Sequence, residues 1–305
     1  MPRNKFIDRA YQFFLSENSK DKAEVYIIWL SIASFSVHLF LILLNNLGVF
    51  DLGIHSELLE NPISAIYTPF SFILLFEVYL LVYHIPQSTS DYIGKQYEII
   101  TLIVVRRLFK DISHLDLTED WFQDAYDLQF TFDIVTTILL FLLIYYFHKL
   151  NHKKPGSTPR PYKELSPKVQ RFIDRKKVLA ICLVPIVFLM SIYSFGNWTI
   201  DSLHILTDNV TTTEFTDINN IFFDEFFVLL ILTDVLLLLF SFFHTSKFNL
   251  FIRNSGFIIS TILIRLSFGT EGYLNNILIT GAVLFGVLIL LINQKYEKLS
   301  AAERL

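Results

Sequence analysis

The sequence predicts an all-α polytopic membrane protein of eight transmembrane helices, arranged as two four-helix repeats in parallel orientation. Three observations predict it. Eight apolar stretches run along the chain with short polar segments between them. Lys and Arg gather in every second polar segment. Several polar residues recur at matching places in the two halves. Hydrophobic residues make up 53% of the 305 residues and the mean hydropathy is +0.48, too apolar for an ordinary soluble domain.

A hydrocarbon core about 30 Å thick needs roughly 20 apolar residues in a helix. Stretches of that kind lie near 25–46, 65–84, 93–110, 128–148, 178–198, 222–243, 252–269 and 273–293. They are continuous rather than alternating, which favours helices over a β-barrel. The third is short and carries Arg106 and Arg107, so charge sidedness decides it. Segment 1–24 holds Arg3, Lys5, Arg9, Lys20 and Lys22. The next connection has Asp51, Glu57 and Glu60 with no base. Segment 85–95 ends on Lys95, whereas 111–127 holds six acids. Segment 149–177 is dense in Lys and Arg, 199–221 has four acids and no base, Lys247 and Arg253 flank the next crossing, and Lys295, Lys298 and Arg304 close the chain. Retention of Lys and Arg on the inner side then places both termini on the cytoplasmic side of a plasma (inner) membrane. Without the third crossing the alternation breaks.

The expected domains are a cytoplasmic amphipathic N-terminal helix over 1–24, a first four-helix half over 25–148, a basic cytoplasmic linker with an amphipathic helix over 149–177, a second four-helix half over 178–293 and a cytoplasmic tail over 294–305. Within the first, Phe6, Ile7, Ala10, Tyr11 and Phe14 fall on one face. Within the linker, Ser166-Pro167 starts a helix whose Val169, Phe172 and Ile173 share a side. Four crossings return the chain to its starting side, so the halves are parallel repeats. Glu77 matches Asp234, Lys95-Gln96 matches Arg253-Asn254, Arg107-Leu108 matches Arg265-Leu266, and Asp133 matches Asn276.

Charges inside the apolar stretches carry the functional expectation, because each costs roughly 2.5–3.5 kcal/mol at the centre of a membrane helix. Glu77 and Asp234 lie near the midplane, where desolvation favours a neutral carboxyl. Arg107 and Arg265 lie in the outer third, with Asp133 within reach of Arg107 and with Asn275 or Asn276 within reach of Arg265. His38 falls mid-span in the first helix. The single Cys, Cys182, is expected as a small buried apolar side chain.

The leading expectation is an ion- or proton-conducting channel or transporter, or its sensor unit. Its site residues are Glu77, Asp234, Arg107, Arg265, Asp133, Asn276 and His38. The rivals are a scaffold or accessory subunit docking a cytoplasmic protein partner, and a small-molecule transporter built on parallel repeats. Membrane lipid and a homo-oligomer are further expected associations. With no nucleophile–base set, paired-His ligand pattern or phosphate loop, neither an enzyme nor a metal or cofactor site is expected. The basic linker is explained by sidedness, so no nucleic-acid partner is expected. In outline, four helices with an acid on the second and arginines on a later one resemble the voltage-sensor domain. That family spaces Arg every third residue on its fourth helix, whereas Arg106 and Arg107 stand on the third, so no functional residue carries over.

Overall fold

A computed structural model describes residues 5–47, 62–112, 125–151, 166–208, 218–243, 248–270 and 272–302. Among these the chain is 95% helical and has no strand. The helices are α1 (Lys5–Leu15), α2 (Glu17–Asn46), α3 (Tyr67–His84), α4 (Thr89–Asp111), α5 (Ala125–Asn151), α6 (Pro167–Asp208), α7 (Ile218–Phe242), α8 (Phe248–Ser267) and α9 (Gly272–Ala302), with a 3-10 turn over Pro62–Ile66 before α3. Six helical stretches are long and apolar enough to cross a membrane: Ile7–Asn46, Asp127–Asn151, Pro167–Tyr193, Glu225–Phe242, Phe248–Ser267 and Gly272–Leu299. Thr68–His84 is apolar but shorter. The architecture is therefore all-helical and consistent with a polytopic membrane protein. The connections at 48–61, 113–124, 152–165 and 209–217, which hold most of the acidic and basic loop residues that set the expected topology, lie outside the described residues.

The chain divides into two compact units. One comprises Met1–Tyr83, Phe109–His114 and Ala180–Leu229. The other comprises His84–Leu108, Leu115–Leu179 and Leu230–Leu305. In the first unit, Ser16 separates α1 from α2. Its Oγ accepts from the Ser19 amide at 3.1 Å, an N-cap that starts the long α2. Ser19 Oγ returns a bond to Phe13 O at 2.8 Å, and Tyr79 Oη of α3 donates to Phe14 O at 2.8 Å. Leu15 is buried, while Phe13 and Phe14 face outward. The sequence pattern puts Phe14 on the apolar face, but the cap at Ser16 turns the chain one residue after Leu15.

Two sequence expectations change in α6. Residues 166–176 and 178–198, which the sequence pattern separates, form one 42-residue helix that continues to Asp208. The junction between them contains no breaker: Asp174, Arg175, Lys176, Lys177 and Val178 include neither Gly nor Pro. At 1.5 Å per residue this helix is about 63 Å long, roughly twice the thickness of a hydrocarbon core. Cys182 is exposed rather than buried. Ala180, Leu183 and Val187 make the buried stripe at helical spacing, which leaves Cys182 off that stripe.

The second unit packs most closely through α8 and α9. Three backbone bonds tighten the turn between them, ending with Thr270 N to Ser267 O at 3.0 Å. Gly272 opens α9 at φ +65°, a left-handed conformation that glycine adopts without cost. Gly256 of α8 faces Ile289 of α9 so closely that a Cβ would lie 2.7 Å from Ile289 Cγ1. Gly286 of α9 lies against the phenol of Tyr97 from α4, and a Cβ there would stand 2.7 Å from Tyr97 Cζ. Gly286→Ala therefore forces Tyr97 out of its place. Overpacking of this kind costs about 1–3 kcal/mol. Thermal unfolding in detergent is expected to show a lower midpoint for Gly286→Ala, with partial recovery when Tyr97→Ala is added.

Candidate functional site

The most polar long helix of the second unit is also its most enclosed. α4 bears Asp91, Lys95, Gln96, Glu98, Arg106 and Arg107, and it is not among the six span-length apolar stretches. Yet Tyr92, Gln96, Tyr97, Thr101 and Arg106 are buried, along with Ile93, Ile99, Ile100, Ile103 and Val104. Buried positions recur all round the helix rather than on one stripe. A helix ringed by protein does not need an apolar surface, but it must find a partner for each polar side chain. Those partners form three layers around α4, the first two overlapping in height because Lys95, Gln96, Tyr97 and Glu98 are consecutive.

The first layer is near the N-terminal end. Glu98 accepts from Lys95 Nζ at 2.9 Å and pairs with His148 Nε2 of α5 at 2.8 Å. Gly94 permits this approach, since a Cβ there would meet His148 Cε1 at 3.0 Å. Asn151 Nδ2 donates to Asp91 Oδ1 one turn away. Lys176 of α6, only 2% exposed, donates to Gln87 O at 2.8 Å, and its ammonium stands 4.8 Å from the Phe172 ring centroid.

In the second layer Asp234 of α7 is 3% exposed. Both its oxygens accept from Gln96 Nε2, each at 3.1 Å. Gln96 Oε1 in turn accepts from Thr261 Oγ1 of α8 at 2.9 Å. Beside this chain, Tyr97 Oη bonds Ser260 Oγ at 2.8 Å, and Ser260 Oγ donates to Ala282 O of α9 at 2.7 Å. Because the Ser260 proton goes to Ala282, Tyr97 is the donor to Ser260.

The third layer lies about 16 Å further along α4. Arg107 Nε donates to Asp133 Oδ2 at 2.8 Å and Nη2 to Asp133 Oδ1 at 2.9 Å, a bidentate fork. Nη1 donates to Asn275 Oδ1 at 2.9 Å and Nη2 to Asn276 Oδ1 at 2.6 Å. Asp133 is fully buried, and its Oδ1 also accepts from Gln129 Nε2 at 2.9 Å and Asn276 Nδ2 at 2.5 Å. Asn275 Nδ2 donates to Ser267 O at 2.6 Å, so one side chain caps α8 and orients the guanidinium. The fork satisfies both Asp133 oxygens and fixes α4, α5 and α9 to one another.

Of the residues singled out from sequence, Arg107, Asp133 and Asn276 come together here. Asp234 sits in the second layer, with Gln96. Arg265 is half-buried on α8, and the two asparagines expected beside it turn to Arg107 instead. The reason is reach: Asn275 and Asn276 begin α9, where the fork of Arg107 is already aimed by Asp133. Arg106 is 4% exposed and so is enclosed rather than directed outward. Glu77 and His38 belong to the first unit. Glu77 is half-buried on α3, and His38 Nδ1 bonds Thr68 Oγ1 at 2.5 Å, joining α2 to α3. Sequence reasoning missed Thr261, Tyr92, Tyr97, Ser260 and Gln129 and gave Gln96 no role. A usable signal exists in the i,i+4 pairs Tyr92–Gln96, Tyr97–Thr101 and Gln129–Asp133, which put polar groups in rows on one helix face.

No protein-family model, curated protein or solved structure matches the chain. Among the described residues no group of three or more His, Cys, Asp or Glu is placed to hold a metal ion.

Removing one member of a buried ion pair strands the other, at a cost of about 3–5 kcal/mol. Arg107→Ala is expected to lose stability in that range, because Asp133 is left enclosed. Arg107→Ala combined with Asp133→Ala is expected to be milder than the sum of the two single variants. Denaturant unfolding of the four proteins measures the coupling, and strict additivity rules the fork out as a stability determinant.

Proposed function

We propose that the chain is an eight-span integral membrane protein that conducts an ion or proton along the polar side of α4. Its eight spans count α3 and α4 as crossings and form two parallel four-helix repeats. Asp234 and Glu77 are the midplane acids, one in each half. Arg107, Asp133 and Asn276, with Arg265, make the outer layer that gates the path or senses the field, and His38 lines the first half. The observation that carries this reading is Asp234: a carboxyl 3% exposed, in an apolar helix, both of whose oxygens accept from Gln96 of another helix. Acids so placed in membrane helices mark ion and proton paths. The contact between Asp133 and Asn276, which occupy matching positions in the two halves, supports the repeat, since equivalent residues meet where a two-fold axis passes.

Both termini are on the cytoplasmic side of a plasma (inner) membrane in this reading. In a Cys182→Ser background, single cysteines replacing Glu119 or Glu271 are expected to react with an impermeant maleimide from outside intact cells, whereas one replacing Ser300 is expected to react only after permeabilisation. Labelling of Ser300→Cys from outside reverses the topology.

Proton and cation flux into liposomes holding the purified protein tests conduction. Asp234→Asn is expected to reduce flux at least tenfold, and Glu77→Gln to reduce it as well. Unchanged flux in the double variant removes both acids from the path. A scaffold or accessory subunit is the second reading, favoured by Phe13, 73% exposed on α1. It gains if a cytoplasmic protein co-purifies, is lost on deletion of residues 1–20, and no flux is measured in the intact chain.

A further inference from the structure

Asp234 lines a cavity of about 10 Å³ together with Thr89, Tyr92, Asn254 and the apolar side chains of α4, α7 and α8. That is about the volume one water molecule requires. Tyr92 is 1% exposed, and its hydroxyl has no hydrogen-bond partner among the described residues. It stands beside the Asp234 carboxyl and the Gln96 amide, near enough that both act on it as hydrogen-bonding neighbours, yet no direct bond of ordinary length and angle closes to either. A buried hydroxyl left in that condition forfeits about 1–3 kcal/mol unless something small completes it. Thr89, at the start of α4, is the part-exposed polar residue of the lining, so the cavity's polar side leads from the carboxyl toward that end of the helix.

Resting on the reading of Asp234 as a path residue, we propose that its ligand is a proton, held as the carboxylic acid and hydrogen-bonded through one water in this cavity to Tyr92 Oη. The chemistry of the surroundings selects a proton over a metal cation. Hard cations take about six or more oxygens. Here the carboxylate faces an amide NH2, Gln96 Oε1 is engaged by Thr261, and Asn254 Oδ1 is engaged by Arg253 Nε and Nη2 at 3.2 and 3.1 Å. Asn254 Nδ2 is turned away to Ser241 Oγ at 3.0 Å. The cavity oxygens that remain are those of Asp234, Tyr92 and Thr89, too few for a stripped metal ion. The titratable groups facing Asp234 are Tyr92 and Tyr97 from α4, while α8 presents the uncharged Asn254 and Thr261. Among the described residues no Lys, Arg or His forms an ion pair with Asp234. A bound proton is then what removes the cost of a buried carboxylate charge.

Infrared difference spectra between acidic and alkaline pH, taken on the full chain in lipid nanodiscs, read the proton directly. The expected result is a carboxylic C=O stretching band that titrates, is lost in Asp234→Asn, and is the same in sodium and potassium buffers. Tyr92→Phe keeps the ring and removes the hydroxyl. It is expected to shift the band to higher wavenumber, and it serves alone should Asp234→Asn fail to fold. Absence of an Asp234-dependent band, its loss on adding sodium at fixed pH, or an unshifted band in Tyr92→Phe overturns the proposal. A titrating Asp234 band with liposome flux unchanged in Asp234→Asn sustains the proton site and removes conduction. Flux abolished in Asp234→Asn with no such band overturns the proton site and leaves conduction standing.

Discussion

The organisation of the second unit depends on one constraint: the polar side chains of α4 must be partnered where water is scarce. In a soluble protein a helix with this much charge sits at the surface. Here the most polar helix is enclosed by apolar ones, and each of its polar side chains is tolerable only where it finds a partner. Its partners come from every helix that encloses it. Glu98 takes His148 of α5, Gln96 takes Asp234 of α7 and Thr261 of α8, and Arg107 takes Asp133 of α5 and the asparagines of α9. Hydrogen bonds between membrane helices are individually modest, about 0.6–2 kcal/mol. Their directions matter more than their sum. Together the layers tie the rotation of α4 to α5, α7, α8 and α9, and a turn of the helix breaks bonds in all three.

Small residues make those approaches possible. Gly94 admits His148, and Gly286 admits Tyr97, whose hydroxyl then reaches Ser260. Gly256 brings α8 against Ile289 of α9. Without a hydrophobic drive between helices in lipid, close packing of this kind is a main source of association. The polar layers and the glycine contacts are thus coupled: a side chain added at Gly286 displaces Tyr97, the donor to Ser260 Oγ.

Much of the helical architecture was legible in the sequence because it follows from apolar run length. The stretches read at 128–148, 222–243 and 273–293 coincide with helices α5, α7 and α9, whose ends extend into polar residues that hydropathy cannot assign. The merging of 166–176 with 178–198 was not legible, since a change from basic to apolar composition marks a membrane boundary and not a helix boundary. Of the candidate site, the pairing of Arg107 with Asp133 follows from charge and loop length. The capture of Asn275 and Asn276 by the same arginine does not, because it depends on where the α8–α9 turn delivers the start of α9. Gln96 illustrates the general limit. An uncharged amide costs little in a hydropathy scan, yet both oxygens of Asp234 depend on it.

The meeting of Asp133 with Asn276 carries a chemical requirement of its own. In the proposed repeat these positions are equivalent, and equivalent positions beside a two-fold axis face each other. Two aspartates there would set carboxylates in contact around a single guanidinium, with one charge unbalanced in a buried place. An asparagine at one of the two resolves this. Its Oδ1 accepts from Arg107 as a carboxylate would, and its Nδ2 donates to Asp133 Oδ1, which a carboxylate cannot do. The same logic leaves Arg265 outside the fork, since the Asp133 oxygens already accept from Arg107, Gln129 and Asn276. Under the proposed repeat, Asp at one position and Asn at the other is therefore what a shared, buried contact demands.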